Sequence, residues 1–158
     1  MTFRLGQESY GLTVLGVREI IRLCPITTVP KMPAYIKGVI NLRGKVIPIL
    51  DLRAKFQLAR ESYGDRACIV VVQLGTAPAA VTLMGAIVDA VEEVVQLSEG
   101  QLEPKPDFGG SPDTGYILGM ATINGGVKTL LDLDKVFLEE GVLTLVPAQT
   151  TNPKDKIR

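Results

Sequence analysis

Two stretches of the chain repeat one succession of apolar and polar positions. Gly38 to Phe56 reads GVINLRGKVIPILDLRAKF, and Gly119 to Phe137 reads GMATINGGVKTLLDLDKVF. Without a gap they share Gly38/Gly119, Gly44/Gly125, Val46/Val127, Leu50/Leu131, Asp51/Asp132, Leu52/Leu133 and Phe56/Phe137. The offset of 81 residues also aligns Tyr35-Ile36 with Tyr116-Ile117. Upstream, an offset of 74 sets Val17-Arg18-Glu19-Ile20-Ile21-Arg22-Leu23 on Val91-Glu92-Glu93-Val94-Val95-Gln96-Leu97, Gly11 on Gly85, and Pro30-Lys31 on Pro104-Lys105. The loop from Asp107 to Asp113 absorbs the difference of seven, and its composition marks a flexible surface segment. Two matches in the same order make the chain a duplication.

Each copy predicts the same elements. A hairpin-like pair of strands opens it, around Phe3 to Val14 in the first and Ala67 to Val88 in the second. The segment V-x-E-[IV]-[IV]-x-L follows; its spacing fits a twisted strand or a helical turn, and periodicity leaves both open. A second hairpin comes next, with Asn124-Gly125 as its tip in the second copy, a strong short-range turn signal between apolar residues. Pro48 lacks an N–H, which predicts an edge or an irregular start for the returning strand of the first copy. Asp51 and Asp132 then open Leu52 to Phe56 and Leu133 to Phe137, each placed to accept backbone N–H groups as a helix N-cap. About five short strands and one helical turn per copy predict an all-β fold, a small curved barrel repeated twice. One copy has a thin core by itself, so the two are expected to pack together around a groove.

Composition narrows the function classes. The hydrophobic fraction is 46% and the charged fraction 22%, which argues for a folded chain. Gly and Pro number 16 and 10, a turn-rich count that suits short strands. Seventeen basic residues balance seventeen acidic ones, so the total charge supplies no field for a phosphate backbone or an anionic membrane. With no basic tract and 5% aromatic content, nucleic-acid binding is not expected. Cys24 and Cys68 are unpatterned and fit a reduced cytoplasm, Cys68 as an inert thiol in the apolar run Ala67 to Val72. The apolar runs fall far short of the ~20 residues that span a bilayer.

Catalytic signatures are missing from the sequence. It contains no histidine, the commonest general base and metal ligand. Two separated cysteines do not make a tetrahedral zinc site, and no phosphate-binding or nucleophile-elbow motif occurs. Glu92-Glu93 and Glu139-Glu140 read as solvated surface. No metal or other cofactor is expected.

The two copies differ where the second hairpin turns. Arg43 stands where the other copy has Asn124, Lys37 where it has Leu118, and Asn41 where it has Thr122. Asn and Gly suit such turns for backbone reasons, so Arg43 is not there for its turn propensity. Its guanidinium offers five donors in a rigid fork, suited to carboxylates or carbonyls on a partner. Gly38 and Gly44 recur in both copies and are explained first by close backbone approach or positive φ. Glu19, twinned with Glu93, reads as structural on the same logic.

The run YIKGVINLRGKVIPILDLR, with the preceding YGLTVLGVREII and the later MGAIVDAVEEVVQL, resembles the signature of the CheW family of chemotaxis coupling proteins. The resemblance extends from Phe3 to about Leu145. It implies two intertwined SH3-like five-stranded barrels forming one domain over residues 1–148. The first barrel would span roughly 10–65 and the second roughly 66–140, with terminal strands shared and a flexible polar tail at 149–158. It also implies a cytoplasmic, non-enzymatic adaptor without cofactors, recruited to the inner face of the membrane through receptor arrays. Its partners would be the cytoplasmic tip of methyl-accepting chemoreceptors and the CheW-like regulatory domain of the histidine kinase CheA.

Receptor-site residues carried over from the resemblance are Val17, Glu19, Lys37, Gly38, Asn41, Leu42, Arg43 and Val88. Val17, Leu42 and Val88 would line an apolar groove for a helix, Gly38 would permit close approach, and Arg43 would fix the helix register. Kinase-contacting residues are not assigned. The segment Gly75 to Ala80 lengthens the first connection of the second copy. Two other readings stay open: coupling to a CheA-like kinase with another output, such as pilus motility, and a ligand-binding or catalytic barrel. The latter predicts a polar pocket with perturbed ionisable groups.

Overall fold

The computed structural model describes residues 1–58, 62–75, 82–104 and 115–137. The loop at 107–113, the connection 76–80, the pair Glu139-Glu140 and the tail 149–158 lie outside them. The fold is all-β. A hairpin of β1 (Thr2–Leu5) and β2 (Glu8–Gly11) leads through a single 3-10 turn (Val14–Gly16) to β3 (Val17–Arg22). A second hairpin, β4 (Ile36–Leu42) and β5 (Lys45–Asp51), ends in the one-turn helix α1 (Leu52–Lys55). The second copy repeats this as β6 (Cys68–Leu74), β7 (Thr82–Val88), β8 (Ala90–Val91), β9 (Leu102–Pro104), β10 (Ile117–Ile123), β11 (Gly126–Leu131) and α2 (Leu133–Phe137).

The sheets are assembled across the copies. One has the order β3-β6-β7-β5-β4 and the other β8-β1-β2-β11-β10-β9. Each therefore takes its opening hairpin from the other half of the chain, which intertwines two SH3-like lobes. The duplication holds down to register: the parallel pairings set Ile49 beside Gly85 in one lobe and Leu130 beside Gly11 in the other. Asp51 N–H donates to the Tyr35 carbonyl at 2.7 Å, and Asp132 N–H to that of Tyr116 at 2.8 Å. The second sheet has a sixth strand, β9; its counterpart in the first is only the bridge between Thr27 and Val39.

Strand β6 explains its own unbroken apolar run. Ile69 and Val71 turn into the first lobe with Ile40, Ile47, Ile49 and Ile87. Val70, Val72 and Leu74 turn the other way, into a core shared with Phe3 and Leu5 of β1. β7 does the same, with Ile87 inside the lobe and Met84, Ala86 and Val88 in the shared core. A strand buried on both faces needs no alternation of apolar and polar residues. A stack of Phe3, Tyr10, Phe56 and Tyr116, with centroids 6.0, 5.9 and 5.0 Å apart, lies along the seam between the sheets. Buried Arg53 of α1 reaches Asp89 at 3.2 Å, and Asp89 accepts from Gly6 N–H at 2.7 Å, tying the first lobe to the β1–β2 turn.

The ambiguous V-x-E segment is a six-residue strand in the first copy but only Ala90–Val91 in the second. The partner decides it: β6 pairs with five residues of β3, whereas β1 pairs with two of β8. Pro48 lies inside its sheet, not on an edge strand. Its pairing partner Val39 turns both backbone groups away, to Thr27, so the Pro48 nitrogen faces the β7 side, where pairing begins only at Ile49. Asp51 caps α1, accepting from Arg53 N–H at 3.0 Å and Ala54 N–H at 3.4 Å; Asp132 accepts from Lys135 N–H at 3.3 Å.

Gly38 has φ +144° and is buried, with the Thr27 carbonyl oxygen 2.0 Å from where a Cβ would stand; at Gly119 the Glu103 carbonyl oxygen would be 2.5 Å away. The crossing segment 27 therefore rests directly on the β4 backbone. Gly38→Ala should cost at least about 2 kcal/mol, because backbone cannot yield as a side chain does. Urea unfolding checks this, and an unchanged midpoint would contradict it.

Candidate partner-binding site

The β4–β5 and β10–β11 hairpins end in matching tips. Arg43 and Gly44 have φ +50° and +88°, and Asn124 and Gly125 have +52° and +80°. Both tips thus place two left-handed residues in a row, the arrangement that suits the twist of a two-residue hairpin. Asparagine tolerates that region; an ordinary L side chain there costs roughly 1 kcal/mol or more. The Asn41 side chain closes the first tip by accepting from Gly44 N–H at 2.8 Å. A strained residue kept beside a fully formed turn points to a use for the side chain rather than for the backbone.

Arg43 makes an ion pair with Glu19 of β3, twenty-four residues away in sequence. β3 and β4 are the two edges of their sheet, so the pair fastens the edges of the rolled lobe together. The carboxylate bond and charge push the guanidinium pKa further up. In the second lobe Asn124 Nδ2 donates to Glu93 at 3.3 Å, and Lys128 lies 3.6 Å from Glu92. Glu92 and Glu93 therefore hold a lobe edge as well as meeting solvent. Arg43 leaves 70% of its side chain exposed while paired, and its twin Asn124 is exposed and paired too.

The residues singled out by the resemblance separate on burial. Lys37, Asn41 and Arg43 are exposed; Val17, Glu19 and Leu42 are half-buried. Val88 has 0% exposure and belongs to the shared core, with β7 covered on both faces. Gly38 is buried as well, and the place a Cβ would take is filled by the Thr27 carbonyl. What stays accessible around the tip is a largely polar, basic surface.

Two features escaped the sequence reading. Ile20 and Val46 stand 46% and 54% exposed on the first lobe, and their twins Val94 and Val127 are 67% and 66% exposed on the second. Val46/Val127 is one of the shared pairs, but a repeated apolar residue reads as core until its face is known. The other feature is charge. Among described residues, 17–88 carry nine basic and three acidic side chains, whereas 1–16, 89–104 and 115–137 carry three basic and eight acidic. The zero total hides a basic lobe and an acidic one; summing each half separately finds the signal.

Among the described residues no group of three His, Cys, Asp or Glu side chains lies close enough to hold a metal ion. Burial pushes the Tyr10, Tyr63 and Cys68 pKa values up; for Cys68 this disfavours the reactive thiolate. No helix among the described residues is long and apolar enough to cross a membrane.

The family model described as the CheW-like domain matches residues 1–140. The chemotaxis protein CheW of Klebsiella aerogenes is 34% identical over 140 residues, covering 89% of this chain and 81% of that protein. That of Rhizobium meliloti is also 34% identical, covering 89% and 87%. The crystal structure of the scaffolding protein TtCheW from Thermoanaerobacter tengcongensis superposes with a TM-score of 0.76 at 34% identity, covering 89% of this chain and 92% of the other. Family match, shared fold and duplicated hairpins agree: the chain belongs to the CheW family, the chemotaxis adaptors that couple receptors to the kinase CheA.

Proposed function

We propose that the chain is a non-enzymatic scaffold, one domain over residues 1–148, working in the cytoplasm at receptor arrays on the inner face of the membrane. The helical tip of a methyl-accepting receptor docks on the basic lobe, beside the β4–β5 hairpin. Arg43 carries the recognition, with Lys37 and Asn41 around it and the exposed parts of Val17 and Leu42 as apolar footing. Glu19 holds the guanidinium in place between encounters, and its carboxylate is replaced or joined by acceptors on the helix. The CheW-like regulatory domain of CheA docks elsewhere on the lobes.

The observation that carries this reading is the exposed arginine in left-handed backbone where the duplicated hairpin has asparagine. A residue that strains its turn and still faces solvent is retained for what it contacts. The uncovered Ile20 and Val46 on the same lobe supply apolar area of the kind interfaces bury. Binding, rather than a reaction, is also what the lack of histidine and of a metal-binding cluster among the described residues favours.

Arg43→Asn separates the two roles of the position. Binding of a receptor tip fragment should weaken about tenfold or more, as for an interface anchor, while the thermal midpoint rises because the turn relaxes. Calorimetric titration and thermal unfolding of the same variant read both. An unchanged affinity would remove Arg43 from the site.

The basic lobe predicts salt dependence. Exposed charges are screened beyond ~10 Å at 0.1 M salt, so association with the receptor fragment should slow several-fold as salt is raised. Replacing Lys37 and Lys45 with Gln should flatten that slope. Rates insensitive to salt in the unaltered protein would contradict a charge-steered encounter.

A further inference from the structure

Left-handed backbone marks a second residue of the basic lobe. Among the described residues, four other than glycine have positive φ: Lys31, Arg43, Gln57 and Asn124. Asparagine tolerates that region. Gln57 closes α1: its N–H donates to the Ala54 carbonyl at 3.2 Å, and Leu58 N–H to that of Arg53 at 2.8 Å. Its backbone therefore has a helix-ending role. Lys31 has neither reason. It follows Pro30 in a tight turn at φ +61°, a position that such turns give to glycine or asparagine. Pro30 fixes one side of it, and Met32, packed against the shared core, fixes the other. The strained conformation is thus imposed from both sides.

Lys31 is exposed, and its charge is unanswered. Among the described residues neither Lys31 nor Lys37 makes an ion pair or a side-chain hydrogen bond, whereas Arg43, Arg53 and Lys128 each meet a carboxylate. The turn from Pro33 to Ile36, closed by Ile36 N–H on the Pro33 carbonyl at 3.0 Å, reverses the chain between the two lysines. Both therefore leave the backbone near the start of β4, while Arg43 stands just beyond its end. The seven residues of that strand set the two ends ~20 Å apart.

We propose that Lys31 is a second anchor for the receptor tip, meeting an acidic side chain about one length of β4 along the helix from the group that meets Arg43. This role rests on the docking proposed above, to which it adds an axis and a spacing. A helix rises ~1.5 Å per residue, so a row of ~20 Å selects acidic positions roughly 11 or 14 residues apart, which share one face. Lys37 adds positive charge at the same end of the row.

Calorimetric titration with a receptor tip fragment tests the assignment, with Arg43→Asn measured beside it. Lys31→Asn should weaken binding about threefold to fivefold, the scale of an exposed ion pair, while the thermal midpoint rises because the turn relaxes. Lys31→Arg keeps the charge in the same backbone and should retain the affinity. Combined with Arg43→Asn, the two losses should multiply, because the sites lie too far apart to couple. Full affinity in Lys31→Asn beside a loss in Arg43→Asn would overturn this assignment and leave the receptor site standing. A fragment that does not bind the unaltered chain would overturn both. A lowered midpoint in Lys31→Asn would make the side chain part of the turn and equally overturn it.

Discussion

Burial of β6 and β7 on both faces is the constraint from which the architecture follows. One face of each strand fills the first lobe and the other meets β1 in the shared core. Neither lobe is complete without the hairpin given by the other half of the chain, so the halves cannot separate as independent barrels. Interiors packed in this way transmit displacement rather than absorb it. The aromatic stack and the Arg53–Asp89 pair lie along the seam and tie the lobes together.

Duplication also isolates function from structure. At two of the pairs where the copies agree a folding reason is at hand: Gly38 and Gly119 each lie under a crossing carbonyl, and Asp51 and Asp132 each cap a helix. Where they disagree, folding no longer accounts for the choice. Arg43 against Asn124 is the clearest case, and it leads to a strained, exposed guanidinium. The charge difference between lobes belongs to the same class, since identical folds do not require opposite signs.

The repeat, the Asn124-Gly125 tip and the aspartate caps were legible because each depends on a few neighbouring residues. The all-β class followed from them. Less legible was anything set by partners distant in sequence. Val88 sits in a strand whose two faces are both apolar, so its pattern carried no information about which face was covered. Gly38 announced a close approach without saying that Thr27 makes one. The Glu19–Arg43 pair joins opposite edges of a sheet, and only the rolled lobe brings them together. Ile20 and Val46 read as core because β propensity and burial share the same residues. Charge segregation was present in the sequence throughout, concealed by a sum of zero.

The most direct test of the account is co-retention. A receptor tip fragment is immobilised, CheA is passed over it, and the kinase held back is measured with and without this chain. The account predicts that CheA is retained only when the chain is present, at a stoichiometry set by the chain bound. CheA retained equally in its absence, or displaced from the chain by the receptor fragment, would contradict a scaffold that binds both at once.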